Sequence, residues 1–241
     1  MATIDTLLSQ RDTKKIGESG NKLIAQNRFD STRFIADNFE SFNRIRSHLF
    51  HPHQHITVKY PQKSKKVIDY FLAKDWIKSS GSNAWVLNVG AELRFFLAGG
   101  WLEELVYFAH IEAGVDEIYF GQQVLWDVEG VEGKNEIDVI ARRGDVLSFT
   151  SCKTISVEKS DKHMGKMRHF ITETDYWNIH FANDKGRALL VVTADLIDEL
   201  HGDINRYPQL FSRATILDVS IAGLEQLRWG NLVETIDKHW S

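Results

Sequence analysis

Two side chains in this sequence have the types and the spacing to do chemistry together: the carboxylate of Asp138 and the amine of Lys153. Residues 135–141 alternate polar and apolar side chains, and residues 146–152 form a second run rich in strand-favouring types. The Arg-Gly-Asp turn residues between the two runs predict a β-hairpin. That hairpin would bring the acid on its first strand close to the lysine at the end of its second strand.

An acid and an ammonium held at the ends of adjacent strands suit metal-assisted hydrolysis of a phosphodiester bond. The carboxylate holds a divalent cation, which neutralises phosphate charge and lowers the pKa of a bound water. The lysine orients or deprotonates that water and stabilises the charge that develops. A plain hairpin with solvated charges at its tips accounts for the same residues, so both interpretations stay open at this stage.

The rest of the chain must supply the elements that position this hairpin. Apolar residues at helical spacing predict helices, and alternating or continuous apolar runs predict strands. The predicted helices cover residues 21–50 (one or two helices), 63–76, 101–109, 163–176, 195–200, 207–214 and 221–240. Further strands are predicted at residues 85–89, 116–127, 188–193 and 215–219. The run at 188–193 is continuously apolar, which is typical of a strand buried on both faces of a sheet, whereas residues 1–20 carry only a weak signal.

The predicted helix at residues 101–109 carries a further acid. Glu103 lies one turn from Val106 and Tyr107, and therefore at the edge of the apolar face rather than opposite it. A carboxylate there is either a surface charge or a group directed into a site. The helical pattern leaves both open.

The composition is that of a soluble globular protein, with 43% apolar, 11% aromatic and 26% charged residues in a chain of 241. No apolar run approaches the roughly 20 residues that cross a bilayer, and the N-terminus lacks the apolar core of a secretory signal. The single cysteine, Cys152, excludes an intrachain disulfide framework. We therefore expect a cytoplasmic protein with no membrane association.

The net charge of −4 conceals an asymmetry along the chain. Residues 1–80 carry 14 Lys and Arg against 8 Asp and Glu, whereas residues 81–241 carry 15 against 25. This suggests a first part that contacts a polyanion and a second with a carboxylate-lined site, although ordinary solvated surface explains it too. We predict a basic, mainly helical region over residues 1–90 and a second domain over residues 91–241. The helix, turn and strand at residues 63–89 fit a winged-helix-like unit, which either binds nucleic acid or docks domains.

Four histidines fall within residues 48–55. Such a run could bind a transition metal. Pro52 interrupts it and no acid or cysteine lies nearby in the sequence, so a surface loop is the favoured interpretation.

Three spaced motifs connect the predicted elements to a known group of enzymes. They are Gly99-Gly100-Trp101-Leu102-Glu103-Glu104, then Asn135-Glu136-Ile137-Asp138-Val139, then Ser151-Cys152-Lys153-Thr154. With the order helix, three antiparallel strands, helix and strand, they resemble the PD-(D/E)xK nuclease superfamily. The resemblance is sharper to the nuclease domain of the Card1/Can2 group, CRISPR ancillary nucleases activated by cyclic oligoadenylate, and covers residues 65–200. It implies a restriction-endonuclease-like α/β fold, a mixed sheet flanked by helices, over residues 91–241.

The resemblance also implies roles for individual residues. Asp138 would be the principal metal ligand, Glu103 the helix acid near the metal, and Lys153 the catalytic lysine. Cys152 would offer its backbone carbonyl to the metal, and Mg²⁺ or Mn²⁺ would be the cofactor. Two further positions would contact the phosphate backbone of the nucleic acid: Thr154 and Lys166.

Position 151 departs from the superfamily pattern, because Ser151 stands where an Asp or Glu is expected. A neutral hydroxyl is a poor ligand for a hard divalent cation compared with a carboxylate. Glu136, two residues from Asp138 and on the same strand face, is one substitute for the missing acid. Alternatively, Glu103 and Asp138 suffice with waters and substrate phosphate, or the site binds nucleic acid without cleaving it.

The region before the match is a second departure. The Card1/Can2 group carries a cyclic-nucleotide sensor domain, whereas residues 1–64, which precede the match here, show no strand–helix alternation. We therefore expect no direct sensing of a cyclic oligonucleotide, and regulation through a partner or another trigger. The predicted function is a metal-dependent endonuclease of prokaryotic defence that cleaves DNA rather than RNA, as a homodimer or with a protein partner. The alternatives are a non-catalytic nucleic-acid-binding or assembly subunit that keeps the fold, and a protein-interaction module.

Overall fold

The computed structural model describes residues 2–49, 56–57, 61–81, 84–155, 161–182 and 185–241. The chain divides into two compact units: a larger unit of Met1–Phe29 with Leu102–Ser241, and a smaller unit of Asp30–Trp101. The histidine run at residues 48–55 lies outside the described residues, apart from the backbone of its first two positions. The assignment of separate roles to residues 1–90 and 91–241 stays a prediction.

The helices and strands have the following bounds. The helices are α1 (Ile4–Ser9), α2 (Lys22–Asp37), α3 (Phe39–Leu49), α4 (Pro61–Ala73), α5 (Ala91–Phe95), α6 (Trp101–Glu112), α7 (Asp161–Phe181), α8 (Pro208–Ile216) and α9 (Trp229–Trp240). The strands are β1 (Thr13–Ile16), β2 (Ile56–Thr57), β3 (Ile77–Gly81), β4 (Ala84–Leu87), β5 (Glu117–Val128), β6 (Val131–Arg143), β7 (Val146–Lys153), β8 (Arg187–Val192), β9 (Ile197–Asp198), β10 (Ile204–Asn205) and β11 (Val219–Ala222). Within the part of the chain that the structure describes, no helix combines the length and the apolar character that crossing a bilayer requires.

The larger unit is built on a six-stranded mixed sheet in the order β1-β5-β6-β7-β8-β11. Neighbouring strands from β1 to β7 run antiparallel, and β7, β8 and β11 run parallel. The β6–β7 hairpin turns at Gly144, whose φ of +60° costs a glycine nothing because it has no Cβ. β8 coincides with the predicted apolar run and is buried along almost its whole length, as a strand with covered faces must be. The predicted class, a mixed sheet flanked by helices, is confirmed.

Apolar side chains on one face of this sheet pack under α1 and α7. Ile140 of β6 and Phe149 of β7 lie in one buried cluster with Trp177 and Phe181 of α7. A second cluster joins the first half of α7 to β8, β11 and α8. α7 is therefore held against the strands that carry the predicted motif residues.

Polar contacts attach α6 and α9 to the opposite face of the sheet. His110 of α6 hydrogen-bonds the Thr150 hydroxyl at 3.2 Å, and His239 of α9 hydrogen-bonds the Ser148 hydroxyl at 2.8 Å. These two hydroxyls flank Phe149 on β7, and because side chains alternate along a strand they point away from α7. α6, which carries Glu103, is thus fixed to β7 from this side.

The smaller unit gathers aromatic side chains between its helices and the three-stranded sheet β2-β4-β3. Phe42 and Phe71 are fully buried with ring centroids 6.0 Å apart, and the Phe71 ring also contacts Trp76. After α4, β3 and β4 form an antiparallel hairpin. The helix and the strand of β4 were predicted, whereas β3, between them, was not. A mainly helical N-terminal region is confirmed, and the winged-helix comparison stays a prediction.

Local structure differs from prediction in several places. The terminal helix predicted over residues 221–240 begins only at Trp229, because Val219–Ala222 forms β11. The predicted helix at residues 195–200 is instead β9 and a 3₁₀ turn, because β9 pairs with β10. Glu225 Oε1 accepts hydrogen bonds from the backbone amides of Leu196 and Ile197 at 2.6 and 2.7 Å. Residues 1–20, where the sequence signal is weak, contain α1 and the edge strand β1, whose partner β5 is distant in sequence. The last strand begins at Val219, because α8 extends to Ile216.

A buried ion pair links residues 1–29 to α6 within the larger unit. Arg28 Nε donates to both carboxylate oxygens of Glu104, at 2.8 and 3.0 Å, and the Glu104 side chain is only 2% exposed. Removing the charge of Glu104 would take the opposite charge away from the largely buried Arg28 guanidinium, which has little water to hydrate it. We expect Glu104→Gln to lower the free energy of unfolding in urea by about 3 kcal/mol.

The matched control is an exposed ion pair. Glu234→Gln removes the partner of Lys238 in α9, where both side chains are well exposed. It should change the free energy of unfolding by less than about 0.5 kcal/mol. Equal effects of the two substitutions would contradict the structural importance of the buried pair.

Candidate active site

Asp138 is the centre of the candidate site, just beyond the last paired residues of β6 and β7. Its Oδ2 atom accepts hydrogen bonds from the backbone N–H of Cys152 at 2.7 Å, from Nζ of Lys153 at 3.1 Å and from the hydroxyl of Ser151 at 3.4 Å. Both charged side chains are largely buried, with 12% of Asp138 and 22% of Lys153 exposed. The structure therefore brings together the acid, the serine and the lysine of the predicted motifs.

Strand alternation explains why these residues converge. Ile140 and Phe149 pair across the β6–β7 hairpin and are buried under α7. Ser151 and Lys153 follow Phe149 at alternate positions of β7 and therefore share its face, and the same register places Asp138 opposite Ser151. A slip of one residue in the pairing would expose the apolar pair and separate the acid from the lysine.

Glu103 of α6 approaches Asp138 alongside β5. The β5 residues that flank Gly121 pair with positions 137 and 139, so Gly121 is the β5 position next to Asp138. A Cβ atom on Gly121 would lie 3.9 Å from Oε2 of Glu103, and its φ of +55° is one that glycine adopts without steric cost. Gly121 is not among the predicted site residues, although an isolated glycine in a strand pattern is a signal of close approach.

The charges at the site shift the acidity of Glu103 and Lys153. Burial, followed by the charges of Asp138 and Glu136, raises the pKa of Glu103 to about 8, and Lys153 acts in the opposite direction. Burial lowers the pKa of Lys153, but Asp138 and Glu173 outweigh it and raise this pKa above its ordinary value. Glu103 and Asp138 are thus close enough for their negative charges to oppose each other, and Lys153 is held as an ammonium.

α7 adds an acid that the sequence analysis does not identify. Glu173 Oε2 lies 3.9 Å from Nζ of Lys153, and the ring centroid of Phe170, one turn earlier, lies 5.7 Å from the same atom. Residues 166, 170 and 173 follow the i, i+4, i+7 spacing of one helix face. That spacing is visible in the sequence, but it does not tell which helix face meets the end of β7.

The remaining predicted residues lie around this centre. Thr154 directly follows β7 and is half-buried, and Lys166 is exposed on the α7 face that also carries Glu173. Cys152 is half-buried, and burial together with the neighbouring acids raises the pKa of its thiol. Phosphate contacts by Thr154 and Lys166, and metal binding by the Cys152 carbonyl, stay predictions.

The two facing acids suit a hard divalent cation. Among the described residues, no group of three or more His, Cys, Asp or Glu side chains is placed to hold a metal ion. Mg²⁺ is commonly bound through one or two carboxylates, with waters and substrate phosphate completing its shell. Glu103 and Asp138 supply that number, and a cation would relieve the repulsion that raises the pKa of Glu103. Glu136 adds negative charge from an exposed position on β6.

A mixed sheet with flanking helices, which carries an acid beside a lysine on adjacent strands, defines the nuclease-like class of fold that the motifs resemble. Comparison with protein families shows that residues 91–171 match the family described as Card1-like, endonuclease domain. No curated protein sequence matches the chain significantly.

Solved structures extend the likeness to the whole described fold. Protein VC1899 from Vibrio cholerae is similar with a TM-score of 0.69 and 17% identity over 99% of this chain. Can2 from Sulfobacillus thermosulfidooxidans, solved in complex with cyclic tetra-adenylate, is similar with a TM-score of 0.62 and 16% identity over 98% of this chain. This chain spans 62% of the first protein and 61% of the second. The resemblance to the Card1/Can2 nucleases that the three motifs predict is confirmed, and so is the fold.

Proposed function

We propose that this chain is a metal-dependent nuclease that hydrolyses phosphodiester bonds of nucleic acid. The observation that carries the proposal is the 3.1 Å contact between Asp138 and Lys153, with Glu103 close to the same acid. The family match supports the proposal, because residues 91–171 include all three of these positions. Had Asp138 and Lys153 pointed to opposite faces of the sheet, metal-assisted hydrolysis would have no site.

Different residues of the site would bind the cation, orient its ligand and orient the attacking water. Glu103 and Asp138 would hold Mg²⁺ or Mn²⁺, with the backbone carbonyl of Cys152 as a further oxygen ligand. When bound, the cation neutralises phosphate charge and lowers the pKa of a coordinated water. The Ser151 hydroxyl and the Cys152 amide donate to Oδ2 of Asp138 and keep its carboxylate oriented. Lys153 orients the attacking water and donates to a phosphate oxygen, where negative charge develops in the transition state.

The substrate and the setting follow from the resemblance. We infer DNA in preference to RNA, cleavage within the strand, and Thr154 and Lys166 as contacts to the phosphate backbone. The chain would act in CRISPR-related prokaryotic defence, either as a homodimer or with a protein partner.

A non-catalytic subunit that binds nucleic acid or assists assembly is the second candidate. Ser151 is the observation that favours it, because the superfamily places a carboxylate at that position and a hydroxyl binds a hard cation weakly. Such a subunit would keep the sheet, the charged site and the nucleic-acid surface without the reaction.

Cleavage of labelled substrates separates the two candidates. Wild-type protein, Asp138→Ala and Lys153→Ala are incubated with single- and double-stranded DNA and RNA in Mg²⁺, in Mn²⁺ and in a chelator. We expect the wild type to cleave only with a divalent cation, and both substitutions to abolish cleavage. Binding of nucleic acid without cleavage in either metal would establish the non-catalytic subunit instead.

A further inference from the structure

With Ser151 in place of an acid, and with Glu103 and Asp138 assigned to the cation, the motif residues leave Lys153 without a free proton acceptor beside it. Hydrolysis of a phosphodiester requires a group that takes a proton from the attacking water. The ammonium of Lys153 has three donors and no acceptor, so it can orient the water but cannot take its proton. Oδ2 of Asp138 already receives three hydrogen bonds and would face the cation. Another carboxylate is therefore needed next to the lysine.

Glu173 has the position that this role requires. Its Oε2 lies 3.9 Å from Nζ of Lys153, which is beyond the range of a direct hydrogen bond. A water beside the two atoms can accept a hydrogen bond from the ammonium and donate one to the carboxylate. The positive Lys153 can therefore orient the water, and the negative Glu173 can accept its proton.

The helix holds Glu173 firmly while leaving it accessible. Met167 and Ile171 are fully buried in the cluster with β8, and Trp177 is buried in the cluster with β6 and β7. These contacts fix the α7 backbone on both sides of position 173. The Glu173 side chain itself is 32% exposed, so a substrate and its water can reach it.

We infer, on the basis of the proposed nuclease function, that Glu173 supplies from α7 the carboxylate that position 151 lacks, and that it accepts the proton of the water that Lys153 orients. In this step the water oxygen forms a bond to phosphorus, and the bond between phosphorus and the leaving ester oxygen breaks. The water's proton passes to the Glu173 carboxylate, and a solvent water protonates the leaving oxygen. Glu173 then returns its proton to solvent.

The isosteric substitution Glu173→Gln tests this role. It keeps the shape of the side chain and removes the proton acceptor. With Mn²⁺ and labelled DNA, we expect single-turnover cleavage about 10³-fold slower than in the wild type. The dissociation constant for Mn²⁺, measured by calorimetry on the protein without nucleic acid, should be unchanged. Glu112→Gln, which removes an exposed acid from the end of α6, is the matched control and should cleave like the wild type.

Chemical rescue distinguishes a proton acceptor from a residue that only maintains the structure, because an added carboxylate can restore cleavage only in the first case. Glu173→Ala leaves space for a small carboxylate, so added formate should restore part of its cleavage. The same formate should not help Glu173→Gln, because the amide fills that space. Thermal unfolding identifies a variant that does not fold. If Glu173→Gln or Glu173→Ala fails to fold, the result with the other one tests the role of Glu173.

Three results would overturn the inference while the wild type cleaves. They are wild-type cleavage by Glu173→Gln, loss of Mn²⁺ affinity in proportion to the loss of cleavage, and no response of Glu173→Ala to formate. The second result would make Glu173 a cation ligand rather than a proton acceptor. A wild type that does not cleave at all overturns the proposed function itself, so the two failures are distinguishable.

Discussion

Replacing Lys153 with methionine is expected to lower the rate of phosphodiester cleavage about 10³-fold without weakening the binding of a divalent cation. Nζ of Lys153 lies 3.1 Å from Asp138 and 3.9 Å from Glu173, between the acid proposed to hold the cation and the acid proposed to take the proton. Methionine keeps most of the length and the apolar stem of the side chain but has no donor. The attacking water and the phosphate oxygen would therefore lose their partner in the transition state.

The same substitution removes a positive charge from the cation's surroundings. Because like charges repel, the affinity for Mn²⁺ should stay constant or rise in Lys153→Met. Asp138→Asn, in contrast, removes a proposed ligand and should lose both Mn²⁺ binding and cleavage. Single-turnover kinetics and calorimetry on the two variants measure this split. An equal loss of Mn²⁺ affinity in both variants would mean that Lys153 maintains the shape of the site and has no separate part in the reaction.

Lowering the pH from 7 to 5 is expected to reduce the free energy of unfolding by about 4 kcal/mol through two buried histidines, while Glu103, whose pKa is raised to about 8, offsets about 2.5 kcal/mol of that loss because the folded protein takes up its proton. Burial, followed by the charges of His239 and Arg143, lowers the pKa of His110 to about 3, and burial with Arg187 lowers the pKa of His239 to about 4. In the unfolded chain both have a pKa near 6.5. Below that pH the unfolded chain binds more protons, so stability is lost progressively until the folded pKa values are reached, at about 2 kcal/mol per histidine by pH 5.

Hydrogen bonds show why the folded protein resists this protonation. The indole N–H of Trp240 can only donate, and it donates to Nδ1 of His110 at 3.1 Å. The neutral His110 ring therefore carries its proton on Nε2, which donates to Thr150 at 3.2 Å. If Nδ1 of His110 were protonated, its N–H would point at the indole N–H of Trp240, and two buried donors would be left without an acceptor. His239 is similarly enclosed, with Nε2 at 2.8 Å from the Ser148 hydroxyl.

Urea unfolding at pH 7, 6 and 5 measures this effect. Between pH 7 and 5, His239→Gln should lose about 2 kcal/mol less stability than the wild type, because one of the two buried histidines is gone. His169→Gln, which replaces an exposed histidine of α7, is the control and should keep the full dependence. If His239→Gln loses stability with falling pH as steeply as the wild type, the buried rings are not the source of the acid sensitivity.

The elements that were predicted correctly are those whose pattern depends on sequence neighbours. The β6–β7 hairpin follows from alternation and a turn within one short segment, and β8 follows from one continuous apolar run. The helix predicted at residues 195–200 is wrong because Ile197 and Asp198 pair as a strand with Asn205 and Ile204, which lie further along the chain. β1 was not predicted, because its pairing partner β5 lies far away in the sequence.

The candidate site shows the same division. The three motifs indicate Glu103, Asp138 and Lys153 because the resemblance lies in their local spacing, and the structure brings these residues close together. A glycine within a strand signals a close approach in general, but no local pattern indicates that Glu103 lies next to Gly121, or that Glu173 lies beside Lys153. Both depend on which face of a helix meets which strand.

The sequence by itself determined the acid–lysine hairpin, the mixed sheet with its flanking helices, and the likeness to Card1-like endonucleases. Only the tertiary structure decided that an acid of α7, Glu173, lies 3.9 Å from the amine of Lys153. The position of α7 over the end of β7 results from apolar clusters that join residues far apart in the chain, such as Met167 with Val219 and Phe149 with Phe181. Burial of those side chains sets the helix face, and the helix face sets Glu173 against Lys153, which no periodicity within α7 could specify.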